Sequence, residues 1–204
     1  MFVFCAVLLA ATAGYQRFAG AGPGASPLIR QKVDESGLVT LAGNTRPEAN
    51  ATNDRGPVAA NFPMEHILLQ LQRSPEQERA FEEYLDELED PKSPNYHHWL
   101  TAQQLGQEYG LGAQDLGTIT RWLESHGFTV NKVYPNGTVI DFSGTAGEVG
   151  EAFQTEVHHL DVNGKPHIAN MSDPRIPEAL APVVAGVVSW ASSRAWALSS
   201  NRPW

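Results

Sequence analysis

The sequence feature that most constrains the fold is a pair of Asn-Gly turns, each lying between two runs of alternating apolar residues. Asn136-Gly137 separates FTVNKVY from TVIDFSG, and Asn163-Gly164 separates EVHHLDV from KPHIAN. Asn-Gly readily adopts the positive backbone φ angles that tight hairpin turns require. The sequence therefore predicts two antiparallel β-hairpins. An isolated hairpin is marginally stable, so each must pack against further elements.

Capping boxes predict where three helices begin. In this motif a Ser or Thr and a Glu or Gln three residues later satisfy each other's backbone N–H groups. The pairs are Ser74 with Gln77, Thr101 with Gln104, and Thr145 with Glu148. A further helix is predicted from apolar residues at helical spacing, namely Leu116, Ile119, Trp122 and Leu123.

The order of these elements predicts the fold class. A strand at MEHILLQL, with Ile67, Leu69 and Leu71 on its buried face, precedes the helices and hairpins. Setting one short inserted helix aside, the order is strand, helix, strand, strand, helix, strand, followed by an extra strand. This order predicts an α+β fold of the ferredoxin-like, split βαβ type, an antiparallel sheet with helices on one face.

Composition divides the chain into four parts. Residues 1–13 are apolar and end in a small-residue cleavage pattern, so we expect a signal peptide and a secreted, extracellular or periplasmic protein. Residues 14–63 are rich in Gly, Ala, Pro and Asn, so we expect a mostly flexible leader with one strand at 37–43. We assign residues 64–188 to the folded domain and residues 189–204 to an irregular tail.

Charge and cysteine content exclude several functions. The net charge is −9, with only 14 Lys and Arg, whereas nucleic-acid binding needs clustered basic residues. The apolar start is too short to span a bilayer, which takes about 20 residues. Cys5 is the only cysteine and lies in the expected signal peptide. We therefore expect no nucleic-acid partner, no stable membrane span, no disulfide and no cofactor.

The segment SPNYHHWLT, Ser93 to Thr101, concentrates aromatic and imidazole side chains ahead of a helix. Adjacent His97 and His98 would point to opposite sides of an extended segment, which disfavours a shared metal ion. We expect Tyr96, Trp99 and Leu100 to anchor this loop on the acidic helix. On that reading, a Trp99→Ala variant would lose about 3 to 5 kcal/mol of stability.

Ser143-Gly144-Thr145 resembles the nucleophile turn of some serine peptidases, and Glu82 and Asp86 stand four residues apart on a helix. A serine nucleophile needs a base within hydrogen-bonding reach. Because Thr145 also opens a capping box, the favoured interpretation is structural: Gly144 makes the turn and Thr145 caps the helix. A peptidase acting through Ser143, Glu82 and Asp86 stays open as an alternative.

Charge changes strongly with pH in this chain. It has seven histidines, and eight carboxylates face one arginine between Glu76 and Asp90. Unperturbed carboxyl groups titrate near pH 4 and histidines near pH 6.5. These groups are either a solvated surface or the trigger of an acid-induced release from a partner.

Four segments, in this order, carry a family resemblance: LLQLQRSPEQERAFEEYLDELEDPKSPNYHHWLTAQQLGQEYGL, TITRWLESHGFTV, VIDFSGTAGEVGEAFQTEVHHL and HIANMSDPRIPEALAPVVAGVV. Over about Leu38 to Val188 the chain resembles the activation propeptide of the sedolisins, the kumamolisin-type serine-carboxyl peptidases. SPNYHHWLT is similar to that family's Ser-Pro-x-Tyr-His-x-Trp-Leu-Thr signature, and Ser143-Gly144-Thr145 to a recurrent turn of the propeptide.

The resemblance implies a fold like that of subtilisin-type propeptides. It also implies a domain that assists folding of a secreted peptidase, inhibits it near neutral pH and is released in acid. The family's peptidase domain carries the catalytic residues and binds calcium. Only 16 residues follow Val188, so we expect a truncated or stand-alone propeptide with no catalytic residue and no activity of its own.

The partner implied is a sedolisin peptidase domain, in cis in the family and here also in trans. The resemblance places the connection after Val188 near that domain's cleft, which makes Ser189, Trp190, Ala191, Ser192, Ser193 and Arg194 the candidate cleft-facing segment. The alternative is a secreted binding module that reuses the fold without a peptidase partner.

Overall fold

The computed structural model describes residues 26–188 of the 204-residue chain. The expected signal peptide at residues 1–13 lies outside the described residues. So does the tail at 189–204, which contains the candidate cleft-facing segment Ser189 to Arg194.

Nine strands and four α-helices make up the described part of the chain. The strands are β1 (Leu38–Thr40), β2 (Asp54–Pro57), β3 (Pro63–Leu71), β4 (Thr129–Val133), β5 (Val139–Thr145), β6 (Val157–Val162), β7 (Lys165–Asn170), β8 (Arg175–Pro177) and β9 (Val184–Val188). The helices are α1 (Pro75–Glu89), α2 (Ala102–Tyr109), α3 (Ala113–Ser125) and α4 (Ala146–Phe153). A 3₁₀ turn at Glu178–Leu180 precedes β9.

The largest sheet has four strands in the order β4-β5-β3-β9, and every neighbouring pair is antiparallel. Central Leu69 pairs with Ile140 on one side and with Val187 on the other. Numbered within this sheet alone, the order is 2-3-1-4, which is that of a ferredoxin-like sheet. The predicted α+β class is confirmed.

The predicted element order is present along the chain, but the fourth strand of this sheet is β9 rather than β6. Strands β6 and β7 do form the predicted hairpin, but they belong to a separate three-stranded sheet with the order β2-β6-β7. Strand β2 is the short segment Asp-Arg-Gly-Pro, which has no apolar alternation to mark it as a strand.

The hydrophobic core lies between the four-stranded sheet and helices α3 and α4. Phe142 on β5 makes an edge-to-face contact with Phe128, with ring centroids 5.0 Å apart, and Trp122 on α3 meets Phe153 on α4 at 5.4 Å. Such offset and edge-to-face pairs add to the free energy of burial. These aromatic rings fix the two helices on one face of the sheet.

Residues 26–63 are folded against the domain, which corrects the expectation of a mostly flexible leader for that part of it. Ile29, Leu41 and Val58 are buried in the main core. The buried carboxylate of Asp115, in the first turn of α3, accepts hydrogen bonds from the backbone N–H groups of Leu28 and Ile29, at 2.9 and 3.1 Å. Long-range contacts of this kind leave no local pattern, so polar composition is misleading here.

Helices α1 and α2, with the loop 90–101 between them, form what we call the helical arm. Leu88 is the one buried residue of α1, and α2 has none. The arm is seated where Gly106 of α2 meets the β4–β5 turn. A Cβ atom at Gly106 would lie 1.9 Å from the carbonyl oxygen of Pro135, so only glycine permits this approach.

Candidate functional site

The four-stranded sheet leaves one face uncovered by the other described elements, and we call it the open face. Its central row runs across all four strands: Leu68 on β3 lies opposite Val188 on β9 and Asp141 on β5, and Asp141 lies opposite Lys132 on β4. Val188 is 47% exposed. The charged half of this row, on β4 and β5, thus lies beside an apolar half on β3 and β9.

A polar cluster occupies the centre of the open face. The Nδ1 atom of His66 lies 3.0 Å from a carboxylate oxygen of Asp141, and Asn131 donates from its amide to Asp141 at 2.8 Å and to the Ser143 hydroxyl at 2.7 Å. A carboxylate only accepts hydrogen bonds, so Nδ1 of His66 is the donor. The His66 side chain is 68% exposed, whereas that of Asp141 is only 11% exposed. The largely buried carboxylate of Asp141 therefore holds an imidazole ring that lies in solvent.

Backbone geometry explains why His66 reaches Asp141. Residue 66 has φ +55°, and the pairing of β3 with β5 shifts register between Met64 and Ile67. A bulge of this kind re-aims a side chain relative to the regular pleat. Sequence reasoning missed His66, Asn131 and Asp141. The available signal was the polar Asp141 between buried Ile140 and Phe142.

Ser143 is not arranged as a nucleophile. Its hydroxyl oxygen accepts hydrogen bonds from the Asn131 amide and from the backbone N–H of His66, the latter at 3.1 Å. Both neighbours are donors, whereas activating a serine takes a base. Within residues 26–188 neither Glu82 nor Asp86, which lie exposed on α1, contacts it. The geometry does not support the alternative of a peptidase acting through these three residues.

Gly144 and Thr145 have the structural roles predicted for them. The Thr145 hydroxyl accepts the Glu148 N–H, and the Glu148 carboxylate accepts the Thr145 N–H, so the capping box is formed. A Cβ atom at Gly144 would lie 2.5 Å from Cδ1 of Phe128. Glycine at this position therefore allows the aromatic core to approach β5. The boxes predicted at Ser74 and Thr101 are formed too.

Two of the three predicted anchors of the 90–101 loop, Tyr96 and Trp99, are wrong. Trp99 is 71% exposed and Tyr96 is 38% exposed, while Leu100 is partly buried. The ring of His97 stacks on that of Tyr96, with centroids 3.8 Å apart. The ring of Trp99 is nearly parallel to that of His97, with centroids 6.4 Å apart. Hydrogen bonds rather than buried rings hold this loop, since Tyr84 donates to the His98 carbonyl and the His97 N–H donates to Leu88.

His158 and His159 face opposite ways, as their place on a strand predicts. His159 lies edge-on to Phe62, whereas His158 bonds to Asp54 through Nδ1 at 2.8 Å and to Glu156 through Nε2 at 3.2 Å. Burial acts to lower the pKa of His158, but the two carboxylates outweigh it, and the pKa is raised above its usual 6.5. The pKa of Asp54 is lowered mainly by the hydrogen bond that its carboxylate accepts from the Gly56 N–H, and next by its hydrogen bond with His158.

This pair predicts a stability difference that depends on pH. Because folding raises the His158 pKa, the contribution of His158 to folding stability is full below pH 6.5. This contribution is lost as pH rises through the pKa of His158 in the folded state. The Asp54 contribution is lost as pH falls through its lowered pKa. A His158→Gln variant should therefore unfold at lower urea than the wild type at pH 5, with a smaller difference at pH 8.5. Equal differences at both pH values would contradict this assignment.

His167→Gln is the matched control for this measurement. His167 lies on the neighbouring strand β7, and the described residues supply it with no carboxylate partner. The difference in urea midpoint between His167→Gln and the wild type should be the same at pH 5 and at pH 8.5.

Across residues 26–188, no group of three or more His, Cys, Asp or Glu side chains is placed to hold a metal ion. None of the helices in that range combines the length and the apolarity needed to cross a bilayer.

Residues 26–188 thus contain a ferredoxin-like antiparallel sheet with one open face. The family model described as "Pro-kumamolisin, activation domain" matches residues 50–192. The chain therefore belongs to the pro-kumamolisin activation domain family.

Curated relatives agree with this family and are all much longer proteins. Kumamolisin of Bacillus sp. (strain MN-32) is 25% identical over 155 residues, which are 76% of this chain and 27% of the relative. Xanthomonalisin of Xanthomonas sp. (strain T-22) is 28% identical over 109 residues, 53% of this chain and 13% of the relative. Sedolisin of Pseudomonas sp. (strain 101) is 24% identical over 123 residues, 60% of this chain and 21% of the relative.

Proposed function

We propose that this domain binds a peptidase domain of the sedolisin type, assists its folding and inhibits it near neutral pH. The observation that carries the proposal is the family match over residues 50–192, which is confined to an activation domain. The relatives that align with the chain are peptidases of which it spans between 13% and 27%. On this proposal the domain works without a cofactor and catalyses no reaction itself.

The open face is the best-suited docking surface for such a partner. Leu68 and Val188 supply apolar area, and the His66–Asp141 pair supplies directional polar groups at its centre. Protein interfaces combine apolar contact area with positioned hydrogen bonds. Shortening the side chains of Leu68 and Val188 would therefore remove apolar contact area from the open face. It would not alter the residues of the sheet that face the core.

The position of Val188 relates the segment after it to the same arrangement. Val188 is the last described residue and lies on the open face at the edge strand β9. On this proposal residues 189–194, which follow β9 directly in the sequence, are the segment that contacts the cleft of the partner. We propose that the protein is exported by its apolar residues 1–13 and meets the peptidase outside the cytoplasm.

Acid would release the domain through its carboxylates. Charged hydrogen bonds between carboxylates and a partner are present while the carboxylates are ionised and are lost as pH falls through their bound pKa values. The chain has 23 Asp and Glu and seven His residues, so its net charge becomes much more positive in acid. The complex should therefore weaken between neutral pH and pH 3.5.

The test is inhibition in trans of a kumamolisin-type peptidase domain prepared without its own activation domain. We expect the purified protein to slow hydrolysis of a chromogenic peptide at pH 6 and to inhibit at least about tenfold less at pH 3.5, as loss of one or two charged contacts implies. A Leu68→Ser variant should inhibit less at pH 6. Failure to inhibit at pH 6, or equal inhibition at both pH values, would overturn the proposal and favour a binding module without a peptidase partner.

A further inference from the structure

The helical arm contributes little to the core of the domain. None of its residues belongs to the main hydrophobic cluster, and its own apolar contacts are local, between Phe81 and Tyr109 at 5.4 Å and between Tyr84 and Tyr109 at 5.6 Å. Helix α1 also leaves Leu85 43% exposed. Packing within the described part of the chain therefore does not explain why a 15-residue helix is kept here.

The arm is nevertheless fixed in place rather than loosely attached. Arg73 donates from Nε to the carbonyl of Tyr109 at 2.7 Å, and its guanidinium lies 4.3 Å from the ring centre of Phe81. Gln77 donates to the carbonyl of Gly110 at 3.0 Å. Together with the close seat of Gly106 on Pro135, these contacts hold α1 and α2 at one angle to the sheet.

The loop between the two helices presents its rings outward in a fixed arrangement. Besides the Tyr84 and His97 hydrogen bonds, Asn95 donates to the carboxylate of Glu87 on α1. His97 has φ +55°, an uncommon conformation for a residue other than glycine, and this turn stacks its ring on Tyr96. Trp99 extends the stack and is mostly solvent-exposed. A large aromatic side chain held rigid in solvent loses little conformational entropy when it binds.

The helix that holds this loop is strongly acidic. Between Glu76 and Asp90 the arm carries eight carboxylates against Arg79. Glu82, Glu83, Asp86 and Glu89 are all exposed. An indole face attracts cations, and arginine or lysine can also pair with flanking carboxylates. The surface is therefore complementary to a positively charged one.

We propose that the helical arm is a second docking surface, on which Trp99 contacts an arginine or lysine side chain of the partner peptidase domain. This inference rests on the proposed function and adds a contact distinct from the open face. Aromatic residues in such positions often contribute a large share of binding energy, whereas flanking charges mainly speed association and set partner choice.

The experiment measures inhibition constants of the full chain against the same kumamolisin-type peptidase domain at pH 6. Trp99→Ala should weaken inhibition about tenfold or more, while the thermal midpoint of the free domain stays within about 2 °C of wild type because the ring is exposed. Glu83→Lys, one turn from Glu87, should slow association at low salt and lose this effect at 0.5 M salt. Glu151→Lys on α4 makes the same charge change away from the arm and should match wild type.

The outcomes separate the two proposals. If wild type inhibits while Trp99→Ala and Glu83→Lys inhibit equally well, the arm is not a docking surface and the proposed function stands. If Glu151→Lys weakens inhibition as much as Glu83→Lys, the effect is one of net charge and the arm is again excluded. If wild type itself does not inhibit, both proposals are wrong.

Discussion

Replacing Phe142 with alanine is expected to destabilise the domain by about 3 to 5 kcal/mol, the range for removing a fully buried phenylalanine. Phe142 has no exposed surface and lies at the centre of the aromatic core, between Phe128 on one side and Phe153 on the other. It also forms the middle of β5, which pairs with both β3 and β4. The surrounding rings are held by two helices and the sheet, so the cavity cannot close by a local shift. Urea unfolding followed by far-UV circular dichroism measures the loss.

Trp99→Ala is the matched control, since it also removes a large aromatic side chain. The sequence pattern predicts a loss of about 3 to 5 kcal/mol there as well, whereas the 71% exposure of Trp99 predicts a change within about 1 kcal/mol. The pair therefore separates the two readings of the same loop. Similar losses in both variants would show that Trp99 is buried in solution and would contradict the structure.

Features encoded by neighbouring residues were predicted well from the sequence. The Thr145–Glu148 capping box, the Asn163-Gly164 turn and the termination of α3 near Gly127 each involve residues a few positions apart. Their hydrogen bonds follow directly from residue type and spacing. The four helices and the two hairpins, and with them the α+β class, could therefore be obtained before any tertiary information.

Features that join distant residues could not be predicted in this way. The His66–Asp141 contact depends on a bulge in β3, and the β2–β6 pairing joins Asp54 to Leu160. Neither leaves a periodic pattern, because the partner lies far along the chain. The exposure of Trp99 was missed for a different reason. Large aromatic residues are usually buried, and the hydrogen bonds that hold its loop join it to Tyr84, Glu87 and Leu88 on α1, at spacings that match no known sequence motif.

The leader gives the second large expected effect, because one buried carboxylate fastens it to the domain. Asp115 is 1% exposed, and both of its oxygens accept hydrogen bonds from consecutive N–H groups, those of Leu28 and Ile29. Its position in the first turn of α3 places the charge at the positive end of the helix dipole. Asp115→Ala should therefore cost about 3 kcal/mol, on the order of two charged hydrogen bonds.

In the Asp115→Ala variant the leader should detach from the domain before the whole domain unfolds. Without Asp115 the amide protons of Leu28 and Ile29 lack a described acceptor, so they should exchange with deuterium at least about tenfold faster while the core amides of β3 and β5 stay protected. Asp115→Asn retains one acceptor oxygen without the charge and should fall between wild type and Asp115→Ala. Unchanged exchange at residues 28 and 29 in the alanine variant would mean that buried Ile29, and not the carboxylate, fastens this segment. In that case apolar packing alone would hold the leader on the domain. Comparing Asp115→Ala with Asp115→Asn distinguishes these two explanations.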